Sequence, residues 1–145
     1  MFIGEYWHNL DPKGRVFIPS RLREGLGDCF VLTKGLDNCL FAFPMSEWQL
    51  LEQKTKALSF TNQDARTFSR IFFSGAAECE IDKQGRILVP VNLREHARLE
   101  KEAVIIGAST RVEIWSAQTW DDYKNKALSS YEELAEKLFD ANFEL

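Results

Sequence analysis

The sequence predicts a mixed α+β protein, mainly β, in which two tandem pseudo-symmetric β-hairpin units share one core and carry flanking helices. Three observations predict it. A 14-residue block recurs at an offset of 71, each copy begins with a turn signature between short β-rich runs, and each unit closes on a helical stretch. The composition permits such a core: 145 residues, 45% of them hydrophobic and 28% charged, exclude intrinsic disorder. Four prolines and eight glycines exclude a collagen-like or linker-dominated chain.

Residues 11–24 read DPKGRVFIPSRLRE and residues 82–95 read DKQGRILVPVNLRE, identical at seven of 14 positions. Val16, Phe17 and Ile18 are answered by Ile87, Leu88 and Val89, and farther on Trp48 is answered by Trp120. Two copies are too few for a solenoid and suit a pair related by a pseudo-twofold axis. In the first copy Asp11, Pro12 and Gly14 occupy the positions of a type I turn. Asp bonds the backbone that follows it, and Gly takes the left-handed conformation. Asp82 and Gly85 repeat the pattern without the proline. The spacing therefore predicts hairpins pairing 5–10 with 15–18 and 77–81 with 86–89. Pro19 and Pro90 end the second strands, since proline donates nothing to a ladder. Ser20 is expected to cap a helical turn over 21–25, and 91–97 should form its counterpart.

Two β-rich runs follow in each unit, 30–33 with 39–43 and 104–106 with 112–116. Ser46 is expected to cap a helix over 47–58, and Thr119 to open one over 120–128. Between the units, 62–72 carries Ala65, Phe68, Ile71 and Phe72 at helical spacing and reads as a linker helix. The last segment, 131–139, places Leu134, Leu138 and Phe139 on one stripe with acids opposite. The resulting divisions are 1–58, a linker helix in 59–72, 73–128, and an acidic C-terminal helix or tail over 129–145.

Net charge is −4, which by itself argues against a nucleic-acid partner. Its distribution reverses that reading. Five acids in 130–145 stand against Lys137 alone, so this tail holds the entire net charge and residues 1–129 balance. The repeated blocks are locally basic: Lys13, Arg15, Arg21 and Arg23 in one, Lys83, Arg86, Arg94 and Arg98 in the other, each set against two acids. A tight two-stranded ribbon fits the DNA major groove, and arginine pairs bidentately with guanine or phosphate. The competing reading is that Arg15 and Arg86 bridge Asp11 and Asp82 within their own turns.

The pattern D-x-x-x-R, present twice and each time followed by three apolar residues and a proline, resembles the MraZ family of bacterial transcription regulators. The resemblance covers nearly the whole chain, with Asp11 to Arg15 and Asp82 to Arg86 at the family's two signature motifs. It implies a swapped-hairpin (double-split) β-barrel of AbrB type, with 1–58 and 73–128 as the two AbrB-like repeats. It also implies a ring-shaped homo-oligomer, an octamer being the size the family suggests. The function it implies is sequence-specific binding of double-stranded DNA at repeated boxes upstream of the protein's own operon of cell-division and cell-wall genes. The residues carried over are Asp11, Arg15, Asp82 and Arg86. Lys13 and Lys83 join them as candidate DNA contacts from position alone, and Gly14 and Gly85 as turn supports. Pro12 and Lys13 face Lys83 and Gln84 in the second motif, so unequal contributions from the two tips are expected.

Other classes find less support. Two pseudo-symmetric aspartates suggest an aspartic-protease dyad, but that chemistry wants Thr or Ser and Gly next in an apolar site, whereas Asp11 is followed by Pro-Lys-Gly-Arg and Asp82 by Lys-Gln-Gly-Arg. His8 and His96 are the only histidines. Cys29, Cys39 and Cys79 form no C-x-x-C pair and read as small buried hydrophobes, so no metal or other cofactor is expected. Neither a phosphate-binding glycine loop nor a nucleophile elbow occurs, and no small-molecule substrate is expected. No run approaches a membrane span and the N-terminus does not resemble a signal peptide, so a cytoplasmic, nucleoid-associated protein is expected. The remaining alternative is an oligomeric assembly protein that uses the same fold without DNA, anchored by aromatics such as Trp7.

Overall fold

A computed structural model describes residues 1–142. The first unit contributes β1 (Glu5–Asn9), β2 (Arg15–Phe17), α1 (Ser20–Leu26), β3 (Cys29–Lys34), β4 (Leu40–Pro44), α2 (Met45–Lys56) and α3 (Gln63–Ser74). The second contributes β5 (Ala77–Glu80), β6 (Arg86–Leu88), α4 (Val91–His96), β7 (Glu102–Gly107), β8 (Val112–Ser116), α5 (Ala117–Ser129) and α6 (Tyr131–Asn142). The elements follow the same order twice, and the mixed α+β class holds.

The strand partners depart from the expected hairpins. β1 does not form a ladder with β2, nor β5 with β6. One antiparallel sheet runs β1-β7-β8-β4-β3-β5, and β2 pairs with β6 in a separate two-stranded ribbon. Each unit therefore lends a strand to the other: β1 lies on β7 and β5 lies on β3, with β4 and β8 joined at the pseudo-twofold. The turns still close locally, because the Asp11 N–H donates to the Arg15 carbonyl at 2.9 Å and the Asp82 N–H to the Arg86 carbonyl at 2.8 Å. Beyond that bond the arms diverge. Turn chemistry fixes where the chain reverses, whereas packing of the apolar faces fixes which strand each arm meets. The traced ladder stays open, with β1 and β5 as the sheet's edges.

Alternation explains the core. Val16, Ile18, Ile87 and Val89 point inward from the ribbon and are fully buried against Leu22, Leu26 and Leu93 from α1 and α4. They meet one face of the sheet through Phe30, Leu32, Leu40, Ile105, Val112 and Ile114, so a single cluster draws on both units. On the other face Trp48 from α2 stacks on Phe72 at 5.6 Å and packs on Phe43 at 6.1 Å, while Trp120 from α5 packs on Trp115 at 5.1 Å. The two tryptophans paired in the sequence thus do equivalent work. Glu5 ties β1 to α5, accepting bonds from Trp120 Nε1 and Lys124 Nζ, each at 2.9 Å. Trp7 is exposed and donates to the same carboxylate. Lys124 and the Trp7 N–H hold Glu5 below its ordinary pKa.

Helix starts differ from the capping expected. Pro19, Pro90 and Pro44 stand at the N-caps of α1, α4 and α2 without a side-chain bond, so neither Ser20 nor Ser46 acts as a cap. The fixed φ of proline turns an ending strand directly into a helix. Ser116, rather than Thr119, caps α5, accepting from the Thr119 N–H at 3.1 Å. The linker helix α3 is capped by Asn62. Cys39 and Cys79 are buried as expected, burial raising Cys79 to about 11, while Cys29 is half-buried. No helix among the described residues is long and apolar enough to cross a membrane.

The inward and outward sides of the ribbon make opposite demands on stability. Ile87→Ala is expected to lower the unfolding free energy by about 2–5 kcal/mol through lost burial and a cavity. Leu88→Ala, on the exposed side, should change it by no more than about 0.5 kcal/mol. Urea unfolding at one fixed protein concentration checks both, and equal costs would contradict the alternation.

Candidate nucleic-acid interface

Both turns fold as the sequence predicts. The Gly14 N–H donates to the Asp11 carbonyl at 2.9 Å and the Gly85 N–H to the Asp82 carbonyl at 3.0 Å, while Gly14 and Gly85 take φ of 86° and 81°. Asp11 Oδ1 accepts from the Lys13 and Arg15 backbone N–H groups at 3.0 and 2.8 Å; Asp82 Oδ1 accepts from those of Gln84 and Arg86, both at 2.9 Å. One carboxylate oxygen thus holds the turn at each tip.

The other oxygen holds an arginine. Arg15 Nε donates to Asp11 Oδ2 at 2.6 Å and Arg86 Nε to Asp82 Oδ2 at 3.1 Å. The intra-turn bridge that competed with the DNA reading is therefore present at both tips. It does not seal the arginines, whose side chains keep 32% and 29% exposure. An ion pair this exposed is weak, so it aims a guanidinium more than it immobilises one. Arg86 Nη1 also lies 3.7 Å from Asp11 Oδ2, which places a cation between the two turns.

The crossing of the units builds a second layer. The Ile18 N–H donates to the Gly85 carbonyl and the Val89 N–H to the Gly14 carbonyl, which extends the β2–β6 ribbon into the tips. A Cβ built on Gly14 would stand 2.5 Å from Arg94 Cζ, and one on Gly85 would stand 2.5 Å from Arg23 Nη1. Each tip is therefore backed by an arginine from the other unit's helix; the positive φ calls for glycine, and the missing Cβ leaves room for that approach. Arg23 also lies 5.0 Å from the Phe17 ring centroid, and Arg94 Nε donates to the Val89 carbonyl at 2.9 Å. Arg15, Arg23, Arg86 and Arg94 thus gather around the two turns, which also carry Lys13 and Lys83. Lys13 and Lys83 are exposed.

The remaining candidates fall elsewhere. Arg98 lines a separate depression with Glu100, Glu102 and Asp122, and Arg21 is exposed on α1. Arg23 and Arg94 stood in the basic blocks, but their place against the opposite tips required the strand exchange. The ion pairs of the two motifs differ. Asp11 engages both arginines, whereas Asp82 engages only its own, and Lys13 corresponds in position to Gln84. His8 packs edge-on to Phe17, and His96 meets the Gly35 carbonyl. No cluster of metal-ligand type occurs among the described residues.

Both carboxyls lie below their ordinary value. For Asp11 the Arg15 backbone N–H lowers it most, partial burial opposes, and the Arg15 side chain lowers it further. For Asp82 the Arg86 backbone N–H leads in the same way. A dyad sharing one proton needs one pKa raised, and here both fall, with a guanidinium nearby. A carboxyl depressed by folding stabilises the fold above its unfolded pKa, and that support is lost as pH drops through the folded value. Side-chain NMR titration should place Asp11 and Asp82 midpoints below the reference 3.8. In Arg15→Ala the Asp11 midpoint should rise only part way, because the backbone N–H remains. A full return to the reference value would contradict the bonding described.

The chain matches a known family and several of its members. A family model described as "MraZ protein, putative antitoxin-like" matches twice, over residues 1–71 and 72–142. The chain is 69% identical over 142 residues to the transcriptional regulator MraZ of Pelotomaculum thermopropionicum, covering 98% of each. It is 67% identical to that of Heliobacterium modesticaldum and 64% identical to that of Carboxydothermus hydrogenoformans, covering 97% of this chain and 98% of the relative in both cases.

Proposed function

This chain belongs to the MraZ family, and we propose that it is a transcriptional regulator that binds double-stranded DNA sequence-specifically through its two D-x-x-x-R tips. The observation that carries the reading is the pairing of those tips, with six cations on or against two turns whose carboxylates are already committed. Arg15 and Arg86 lie nearest the groove and read base edges, while Lys13 and Lys83 meet phosphates. Asp11 and Asp82 aim the arginines and stay off the phosphates, which would repel them. The exchange of strands between units is read as the swapped-hairpin arrangement of AbrB-type domains. The targets are repeated boxes ahead of the protein's own operon of cell-division and cell-wall genes, which sets its place of action in the cytoplasm at the nucleoid.

One chain offers few cationic contacts, so affinity calls for several chains on several boxes. A ring-shaped homo-oligomer supplies this through effective concentration. The acidic C-terminal segment adds repulsion against unspecific DNA. A second reading, assembly without DNA, draws on the exposed Leu58 and Phe60 at the α2–α3 connection, since exposed apolar side chains suit a protein partner.

Gel shift with the protein's own upstream region separates the readings. Wild-type binding should fall steeply between low and moderate salt. Arg15→Ala and Arg86→Ala should each weaken binding about tenfold or more and relax preference for the boxes. Lys13→Ala with Lys83→Ala should weaken binding to all sequences alike and reduce the salt slope by about 2. Unchanged affinity in a folded Arg15→Ala/Arg86→Ala protein would remove the DNA reading.

A further inference from the structure

The pseudo-symmetry breaks most visibly at the helix that follows each of the paired tryptophan helices. In the first unit six residues, 57–62, separate α2 from α3, which turns back so that Phe72 stacks on Trp48. In the second unit Ser130 alone separates α5 from α6. A one-residue break gives no room for the same reversal, and within the chain α6 packs chiefly on α5. Part of its apolar face is exposed: Tyr131, Leu134 and Leu138 are spaced i, i+3 and i+7, the two leucines exposed by 48% and 57%. Glu132, Glu133, Glu136 and Asp140 against Lys137 give this helix a net charge of −3. A 12-residue amphipathic helix is marginal alone in water and gains most from an apolar seat.

The fold holds a seat of matching character. A crevice of about 530 Å³ opens where the end of α2, the 57–62 connection and α3 meet. Leu58, Phe60 and Phe73 line it, and Phe60 is 82% exposed. Lys56, Arg66 and Arg70 stand around it against Glu52 alone, a net +2. Arg66 Nη1 is engaged by the Phe60 and Thr61 carbonyls at 3.1 Å, which shapes the connection and leaves Lys56 and Arg70 as the exposed cations.

We propose that the crevice between α2 and α3 is the docking site for the α6 helix of a second copy of this chain, with Leu134 and Leu138 entering the apolar floor and the α6 acids meeting Lys56 and Arg70. The occupant follows from opposite charge and matched apolar character. A second copy supplies it because the crevice belongs to the helices on the β3–β4 side of the sheet, while α6 continues from α5, which packs on β7 and β8. Each chain then carries one seat and one helix. Such a junction is heterologous, so repetition produces a ring when the rotation closes. The proposal rests on the assembly element of the function above and assigns it a surface, distant in kind from the basic tips.

The test is the solution mass of the full-length protein by light scattering, with no DNA present. The wild type should exceed the monomer mass of 16.7 kDa severalfold. Lys56→Glu with Arg70→Glu should fall toward the monomer, with assembly at least tenfold weaker, and so should Glu132→Lys with Glu136→Lys. Combining all four changes should restore the mass, because the charges are exchanged rather than lost. Leu134→Ser with Leu138→Ser should also dissociate the particle. All these positions are exposed, and circular dichroism confirms that each variant is folded. A monomeric wild type, a crevice variant that keeps the wild-type mass, or a fourfold variant that stays dissociated would overturn the proposal. A gel shift on a single box distinguishes this from failure of the DNA reading: the crevice variant keeps that contact if the tips bind DNA, whatever its mass.

Discussion

Two backbone bonds determine what this molecule presents to its surroundings. The Ile18 N–H meets the Gly85 carbonyl and the Val89 N–H meets the Gly14 carbonyl, each at the point where a turn becomes a strand. Because the donor and acceptor come from different units, neither tip is complete within its own repeat. The bonds set the tips side by side, bring Arg94 against Gly14 and Arg23 against Gly85, and press Val16, Ile18, Ile87 and Val89 into one core. Left-handed glycines are required at this junction, and duplication placed one in each half.

Electrostatics on this face follows from the turns. An aspartate that accepts two backbone N–H groups is fixed as an anion well below neutral pH, so it can orient an arginine without titrating in the physiological range. The pair it forms is weak because it is half in water, and a guanidinium with its Nε bound still has its outer nitrogens available to a ligand. This is how an acidic chain concentrates positive charge locally. The net charge belongs to the C-terminal segment, while the repeated blocks that carry the tips stay locally basic.

Much of this was legible in the sequence. The turn positions, the turn bonds of Asp11 and Asp82, and the equivalence of Trp48 and Trp120 depend on neighbours a few residues apart or on the duplication itself. Residues 112–116 form β8 as read, and the β-rich runs elsewhere lie within a residue or two of their strands. What stayed hidden is non-local. Asp11 and Arg15 announce a turn, but nothing near them says that β1 will lie on β7, since that choice belongs to apolar faces far away in sequence. The caps were misplaced where a proline at the strand end, Pro19 or Pro44, entered the helix without a hydroxyl cap. Arg23 and Arg94 looked like ordinary helix cations until the exchange of strands set them against the opposite tips.

Duplication explains both the symmetry of the tips and the asymmetry of the periphery. The core needs both copies, so its residues match closely. The helices after α2 and α5 answer to no such demand and have diverged in connection length and charge. Native-state amide hydrogen exchange at Ile18 and Val89 tests the central claim most directly. If the crossing bonds hold the two units together, both amides exchange only through global opening, with the same free energy as the amides of β7 and β8. Exchange of either amide through a separate, much cheaper local opening, with the sheet still protected, would contradict the account.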